Sequence, residues 1–141
     1  MKKYSITFWL SFISILVFPQ WRWQNPLPCG NYLASIYFTS PNTGYAVGDD
    51  GTIMKTTDGG SNWTIFTKGP EYELKSVCFT DENTGYAASS GIILKTDDAG
   101  ASWNTVYNGM GGWSNSICFP DFNTGYAIDV IGEIAKTSDS T

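Results

Sequence analysis

Short apolar runs separated by turn residues occupy most of the chain after position 30. In the first copy of this pattern the runs are "LASIYF", "TGYAVG", "GTIMKT" and "NWTIFT", and all of them contain β-branched or aromatic residues. Runs of this length, bounded by Gly, Asn, Asp and Ser, are typical of β-strands. The pattern therefore predicts an all-β protein with four strands in each unit.

The unit is repeated along the chain. The sequence "NTGYA" begins at Asn42, Asn83 and Asn123, which are spaced by 41 and 40 residues. Other residues that keep a spacing of 40 or 41 are Gly51, Gly91 and Gly132, Lys55, Lys95 and Lys136, and Trp23, Trp63 and Trp103. Four antiparallel strands at this period are the signature of propeller blades. We predict a partial β-propeller of about three four-stranded antiparallel blades.

Turn residues between the second and third runs predict a hairpin in each unit. Asp50–Gly51 between two such runs is a hairpin signal, and Ser90–Gly91 and Ile131–Gly132 hold the equivalent places. The runs "SVCF" and "SICF" are almost entirely apolar, as expected of strands that are covered on both faces.

Two octets, "TTDGGSNW" ending at Trp63 and "TDDAGASW" ending at Trp103, share Thr, Asp, Gly and Trp. We expect the carboxylate to accept backbone hydrogen bonds one or two residues ahead and the glycine to supply a positive φ. We expect the tryptophan rings to be buried against the adjacent blade. The residues assigned to these structural turns are Thr56, Asp58, Gly60, Trp63, Thr96, Asp98, Gly100, Trp103 and Asp139. No residue is assigned to catalysis, to a cofactor or to a metal.

The octet pattern resembles the Asp box, or bacterial neuraminidase repeat, of sialidases, sortilin-type receptors and xyloglucan hydrolases. The wider unit "NTGYAVGDDGTIMKTTDGGSNW" is similar to repeats of the photosystem II stability and assembly factor family. The resemblance covers about residues 21–141. It implies a propeller built from such units, and a role in which the propeller holds a membrane-protein intermediate during assembly.

Composition excludes several function classes. The chain has no histidine, a net charge of −5 and one arginine, Arg22. The commonest general base and metal ligand is therefore missing, and no basic surface for nucleic acid is available. A sialidase needs several arginines to bind the carboxylate of its substrate. Since Arg22 is the single arginine of the chain, that activity is excluded for this chain alone.

A carbohydrate-active propeller is the alternative from the enzyme class. Glycosidases need two facing carboxylates, and Asp49, Asp50, Glu71 and Glu73 lie in predicted turns where such groups could converge. Solvated turn residues are the interpretation that we favour.

The three cysteines do not predict a disulfide. Cys78 and Cys118 occupy the same repeat position, and packed sheets place such positions roughly 10 Å apart, beyond the reach of a disulfide. We expect both to be buried small apolar residues and Cys29 to be a free thiol. Tyr45, Tyr86 and Tyr126 are predicted core positions of the repeat.

The first residues have the pattern of an export signal. Lys2 and Lys3 precede "ITFWLSFISILVF", which is too short to span a bilayer as a helix. We predict a signal peptide at 1–20, propeller blades at 21–141, and a secreted or periplasmic protein.

The repeat is incomplete at both ends. Trp23 is in phase with the later tryptophans but has no Asp box before it, and the third copy stops at "KTSDST". We expect an N-terminal part of a longer protein, with a self-associating protomer as the alternative. In a complete ring, "WRWQNP" would supply the outer strand of the final blade. Trp21 and Trp23 could alternatively form an exposed aromatic sugar-binding platform, but the phase of Trp23 favours a core role in an outer strand.

Together these features predict a non-enzymatic binding module. Its expected partner is a protein, and its contact with a membrane is limited to export or to a membrane-protein partner. Further blades or a second copy would complete the ring. A structural segment of a large surface protein is the remaining alternative.

Overall fold

The computed structural model describes residues 20–21, 29–68 and 72–137. These residues form nine strands and one short 3-10 turn at Asp49–Gly51. The strands are β1 (Leu33–Phe38), β2 (Gly44–Gly48), β3 (Thr52–Thr56), β4 (Thr64–Lys68), β5 (Leu74–Phe79), β6 (Gly85–Thr96), β7 (Asn104–Cys118), β8 (Gly125–Asp129) and β9 (Ile134–Thr137).

The first blade is a four-stranded antiparallel sheet in the order β1-β2-β3-β4. The predicted turn between β2 and β3 is confirmed, because Asp50 and Gly51 have φ angles of 54° and 63°. The connection is a 3-10 turn at Asp49–Gly51, and Val47 and Ile53 are the last residues that pair across it. Tyr45 pairs with Tyr37 on one side and with Lys55 on the other.

The second and third blades form one five-stranded sheet in the order β5-β6-β7-β8-β9. Residues 85–89 of β6 pair with β5, and residues 90–95 pair with β7, so β6 holds the equivalents of both β2 and β3. The first half of β7 pairs with β6 and residues 114–118 pair with β8, so β7 continues from the second blade into the third. The predicted all-β partial propeller is confirmed.

Two apolar clusters join neighbouring blades. The first lies between the first and second blades and is centred on Tyr45, Val47 and Phe79. The second lies between the second and third blades and contains Tyr86 and Ile117. The core prediction is confirmed for Tyr45 and Tyr86, which are buried, whereas Tyr126 of the third blade is only half-buried.

The third blade departs from the expectation that its first strand is covered on both faces. Residues 76–79 of "SVCF" are all buried, but Ser116 and Cys118 of "SICF" are exposed. The second blade lies between two neighbours, while the described strands flank the third blade on one side only. Within the part of the chain that the structure describes, no helix is long and apolar enough to span a membrane.

Candidate functional site

A threonine hydroxyl and a carboxylate close the turn of the first octet. Thr56 Oγ1 donates to Asp58 Oδ1 at 2.8 Å and accepts the Gly60 N–H at 3.0 Å. Asp58 Oδ1 also accepts the backbone N–H of Asn62 at 2.9 Å, and Oδ2 accepts the Asn62 side-chain amide at 2.7 Å. The accepted N–H is four residues ahead, not one or two, because the carboxylate bridges the two arms of the turn.

The turn of the second octet repeats this geometry. Thr96 Oγ1 donates to Asp98 Oδ1 at 2.8 Å and accepts the Gly100 N–H at 2.9 Å. Ser102 takes the place of Asn62, with its backbone N–H and its hydroxyl 2.8 and 2.7 Å from the two carboxylate oxygens. Gly60 and Gly100 have φ angles of 87° and 86°, which a side chain would disfavour.

Hydrogen bonds also set the acidity of these turns. The side-chain amide and then the backbone N–H of Asn62 lower the pKa of Asp58 to about 2, and the hydroxyl and N–H of Ser102 lower that of Asp98 to about 2. An effective general acid or base needs a pKa near the working pH. Both carboxylates are therefore suited to holding the turn and poorly suited to proton transfer.

Each octet tryptophan packs edge-on against a phenylalanine that ends the first strand of its own blade. The ring centroids of Trp63 and Phe38 are 6.0 Å apart, and those of Trp103 and Phe79 are 6.2 Å apart. For Trp63 this corrects the expectation of a contact with the adjacent blade. Phe38 is the last residue of β1 and Trp63 directly precedes β4, so the two rings lie at the same end of the blade.

This end, which we call the lower end, carries the Asp-box turns and the turns between first and second strands. The two kinds of turn are joined, because the N–H groups of Gly59 and Ala99 donate to the carbonyls of Asn42 and Asn83 at 2.9 Å. The asparagine of "NTGYA" thus supports the Asp-box turn of the same blade.

The second Asp-box turn is also bound by the first blade. The Tyr45 hydroxyl and Lys55 Nζ both donate to the carbonyl oxygen of Ala99, at 2.9 and 3.3 Å. Lys55 lies 5.1 Å from the centroid of the Tyr45 ring. Tyr45 and Lys55 therefore join the first blade to the second.

An open cleft of about 360 Å³ lies at the corresponding place between the second and third blades. Its walls include Tyr86, Lys95, Phe119, Gly125, Tyr126 and Lys136. Between the first and second blades, the residues at the equivalent repeat positions are covered: Tyr45 and Lys55 bind the Ala99 carbonyl, and Phe79 contacts Trp103. Asp139 of the predicted third turn lies outside the described residues, as do Trp23 and residues 1–19 of the signal peptide predicted at 1–20.

Each described carboxylate among those considered for a glycosidase site is either adjacent to another along the chain or paired with a lysine. Asp49 and Asp50 are neighbours in the 3-10 turn, and Glu73 forms an ion pair with Lys75. The Glu73 hydrogen bond raises the pKa of Lys75, against a smaller opposing effect of burial. Glu71 lies outside the described residues. No group of three or more metal-ligating side chains occurs within residues 29–68 and 72–137.

All three cysteines are free. Cys78 is buried between the second and third blades, where burial, followed by the nearby Cys118, raises the pKa of its thiol to about 12. The expectation that Cys118 is also buried is wrong, because no described strand packs over that face of the third blade.

Comparison with known proteins places this geometry in a family. The sequence model of the family described as "Photosynthesis system II assembly factor YCF48" matches residues 15–140. The chain belongs to this family. A search of the curated proteins found no match.

Two solved structures of YCF48 proteins have the same fold. One, described as "YCF48 bound to D1 peptide", has a TM-score of 0.70 and 28% identity over 81% of this chain and 39% of its own. The other, YCF48 from Cyanidioschyzon merolae, has a TM-score of 0.69 and 23% identity over 80% of this chain and 36% of its own. The chain thus spans less than half the length of either structure.

An ancestral GH74 enzyme is a more distant match. Its TM-score is 0.62 and its identity is 17%, over 76% of this chain and 17% of the enzyme. At this identity the likeness shows the fold alone.

Two features of the structure were not predicted from the sequence. Ser35 and Ser76 accept hydrogen bonds from the first strand of the next blade, and the spacing of Ser35, Ser76 and Ser116 by 41 and 40 residues was the available signal. The second feature is a set of exposed aromatic side chains opposite the Asp-box turns.

Proposed function

We propose that the chain is a non-enzymatic propeller module that binds a peptide segment of a partner protein. Family membership over residues 15–140 carries this proposal. A YCF48 protein of 28% identity has been solved with a D1 peptide, which supports the same class of partner for this chain. Because this chain covers 39% of that structure's length, the identity of its partner is part of the proposal.

The chemistry of the turns supports binding over catalysis. Asp58 and Asp98 are occupied by hydrogen bonds within their own turns, and the Glu73 carboxylate is paired with Lys75. A glycosidase needs two carboxylates on opposite sides of the scissile bond. Adjacent residues such as Asp49 and Asp50, in one turn, do not provide that arrangement.

We further propose that residues 1–20 direct export and that the blades act outside the cytoplasm. Lys2, Lys3 and the apolar run that follows support this location. Fractionation of an expressing bacterium tests it. A protein that stays in the cytoplasm with Met1 intact would refute the export proposal and leave the peptide-binding proposal unaffected.

Titration of the 141-residue chain with a D1 peptide tests the proposed function. We expect saturable binding that a scrambled peptide of the same composition does not reproduce. Hydrolysis assays on plant polysaccharides form the second arm, with Asp49→Asn/Asp50→Asn as the matched variant. Hydrolysis that is lost in this variant would replace the binding function with a carbohydrate-active one.

A further inference from the structure

Three aromatic side chains are exposed at the upper end of the blades, opposite the Asp-box turns. Tyr32, Tyr72 and Trp113 are 71%, 53% and 61% exposed. Each lies within two residues of the start of a blade's first strand, before β1, before β5 and before residues 114–118 of β7. A single exposed aromatic needs no explanation, but three at related positions on one end form a candidate contact surface.

Backbone hydrogen bonds hold these aromatic residues in place. The carbonyl oxygens of Tyr32, Tyr72 and Trp113 accept turn N–H groups at 2.9, 3.0 and 3.1 Å. The donors are Asp49, Gly51 and Val130, and the Gly51 bond crosses from the first blade to the second. The backbone at these positions is therefore ordered before binding, which lowers the entropy cost of binding there.

Negative charge surrounds the aromatic side chains. The described carboxylates at this end are those of Asp49, Asp50, Glu73, Asp129 and Glu133, and that of Asp129 accepts the N–H groups of Gly112 and Ile131. Lys75 is paired with Glu73, and its pKa is raised by that hydrogen bond and, to a smaller extent, by Asp49 and Tyr32. Among the residues whose side chains the structure describes, the carboxylates outnumber the cations at this end. The surface is therefore complementary to positive charge.

Neither of the other strong candidates specifies an occupant. The open cleft beside Phe119 corresponds to the place that the second Asp-box turn covers between the first two blades, and nothing in its lining specifies a ligand. The exposed thiol of Cys118 stands alone. The upper end differs because its side chains define the chemistry of a partner.

We infer that the upper end binds an extended, lysine- or arginine-bearing peptide segment. Cations of such a segment would lie over the rings of Tyr72 and Trp113 and near the carboxylates of Asp49 and Asp50. Aromatic faces attract cations through the ring quadrupole, and complementary charge aligns the partner. This inference rests on the proposed function, for which it names the surface and the charge of the bound segment.

Fluorescence anisotropy on the 141-residue chain tests the inference. The probe is a labelled glycine–serine peptide with evenly spaced lysines, and its counterpart has glutamates in their place. We expect the lysine peptide alone to bind, and to bind more weakly as NaCl rises from about 50 to about 300 mM. Tyr72→Ala/Trp113→Ala should weaken binding about tenfold and Asp49→Asn/Asp50→Asn about fivefold.

Phe122→Ala and Glu82→Gln are the matched controls. Phe122 is 70% exposed and lies with Glu82 at the lower end, so both variants should bind the lysine peptide within about twofold of wild type. Circular dichroism shows whether each variant is folded. If Tyr72→Ala/Trp113→Ala is unfolded, the loss of binding in Asp49→Asn/Asp50→Asn is the test of the inference. Equal binding of the glutamate peptide, no binding of the lysine peptide, or equal losses in the controls would overturn the inference.

The two proposals fail separately. Binding of the D1 peptide that is unchanged in both upper-end variants, with no binding of the lysine peptide, would leave the proposed function and refute this surface. Binding of the lysine peptide at the upper end without any binding of the D1 peptide would support this surface and refute the D1 peptide as a model of the partner.

Discussion

The backbone N–H of Val77 donates to the hydroxyl oxygen of Ser35 at 3.2 Å, which joins the first strands of two neighbouring blades. One repeat later, the N–H of Ile117 donates to the Ser76 hydroxyl, also at 3.2 Å. These strands belong to different blades and do not pair as a ladder, so their backbone donors need a side-chain partner when they are buried. A small hydroxyl residue supplies that partner without separating the strands.

Replacing Ser76 with alanine should therefore destabilise the fold. The change leaves the buried Ile117 N–H without its acceptor, and we expect the free energy of unfolding to fall by about 1–3 kcal/mol. Ser116→Ala at the equivalent exposed position should change it by less than about 0.5 kcal/mol. Urea titrations of the two variants measure both values. Equal losses would show that the Ser76 hydrogen bond does not contribute to the interface.

The hydroxyl group of Thr56 should contribute more to the free energy of unfolding than its methyl group does. Thr56→Val keeps the shape of the buried side chain but removes the acceptor for the Gly60 N–H and the donor to Asp58. We expect a loss of about 1–3 kcal/mol in the free energy of unfolding. Thr56→Ser keeps the hydroxyl and should lose clearly less in the same denaturant titration. A serine variant that is as unstable as the valine variant would assign the effect to packing instead.

Repeat spacing was sufficient to predict the fold class, because strand periodicity and turn residues act locally. It placed Asp50–Gly51 in a tight turn and Tyr45 in the core. It misplaced Trp63 and Cys118, because their contacts depend on which blade lies beside them and not on local sequence. The Ser35 hydrogen bond was missed for the same reason: a serine in a strand has no local signature for a bond to another blade.

Acid should weaken the Asp-box turns between about pH 4 and pH 2. Both carboxyls have a pKa of about 2 instead of the ordinary 3.8, so each stabilises the fold when ionised, and this contribution is lost as the pH falls through that window. Asp58→Asn/Asp98→Asn should be less stable at neutral pH and should show a shallower decline of Tm on acidification. Thermal melts at several pH values compare it with wild type. Parallel curves for the two proteins would contradict the role given to these carboxylates.

The glycine of "NTGYA" is required by a phenylalanine ring. A Cβ atom at Gly85 would lie 2.6 Å from Phe79 Cε1, closer than real Cβ contacts allow. Phe79 cannot easily move away, because its ring is stacked on Tyr45 at a centroid distance of 4.2 Å and meets the edge of Trp103. We expect Gly85→Ala to reduce the free energy of unfolding by about 1–3 kcal/mol, as overpacked cores do.

Gly30→Ala is the control for this prediction, since a Cβ there has no neighbour within 4 Å and the backbone φ is not positive. It should stay within about 0.5 kcal/mol of wild type in the same denaturant titration. The cost of Gly85→Ala should also depend on the side chain at position 79, because the two positions are in direct contact. We expect Gly85→Ala to lower the free energy of unfolding less in the Phe79→Leu background than in wild type. Additive effects of the two substitutions would show that the ring does not limit the residue at position 85.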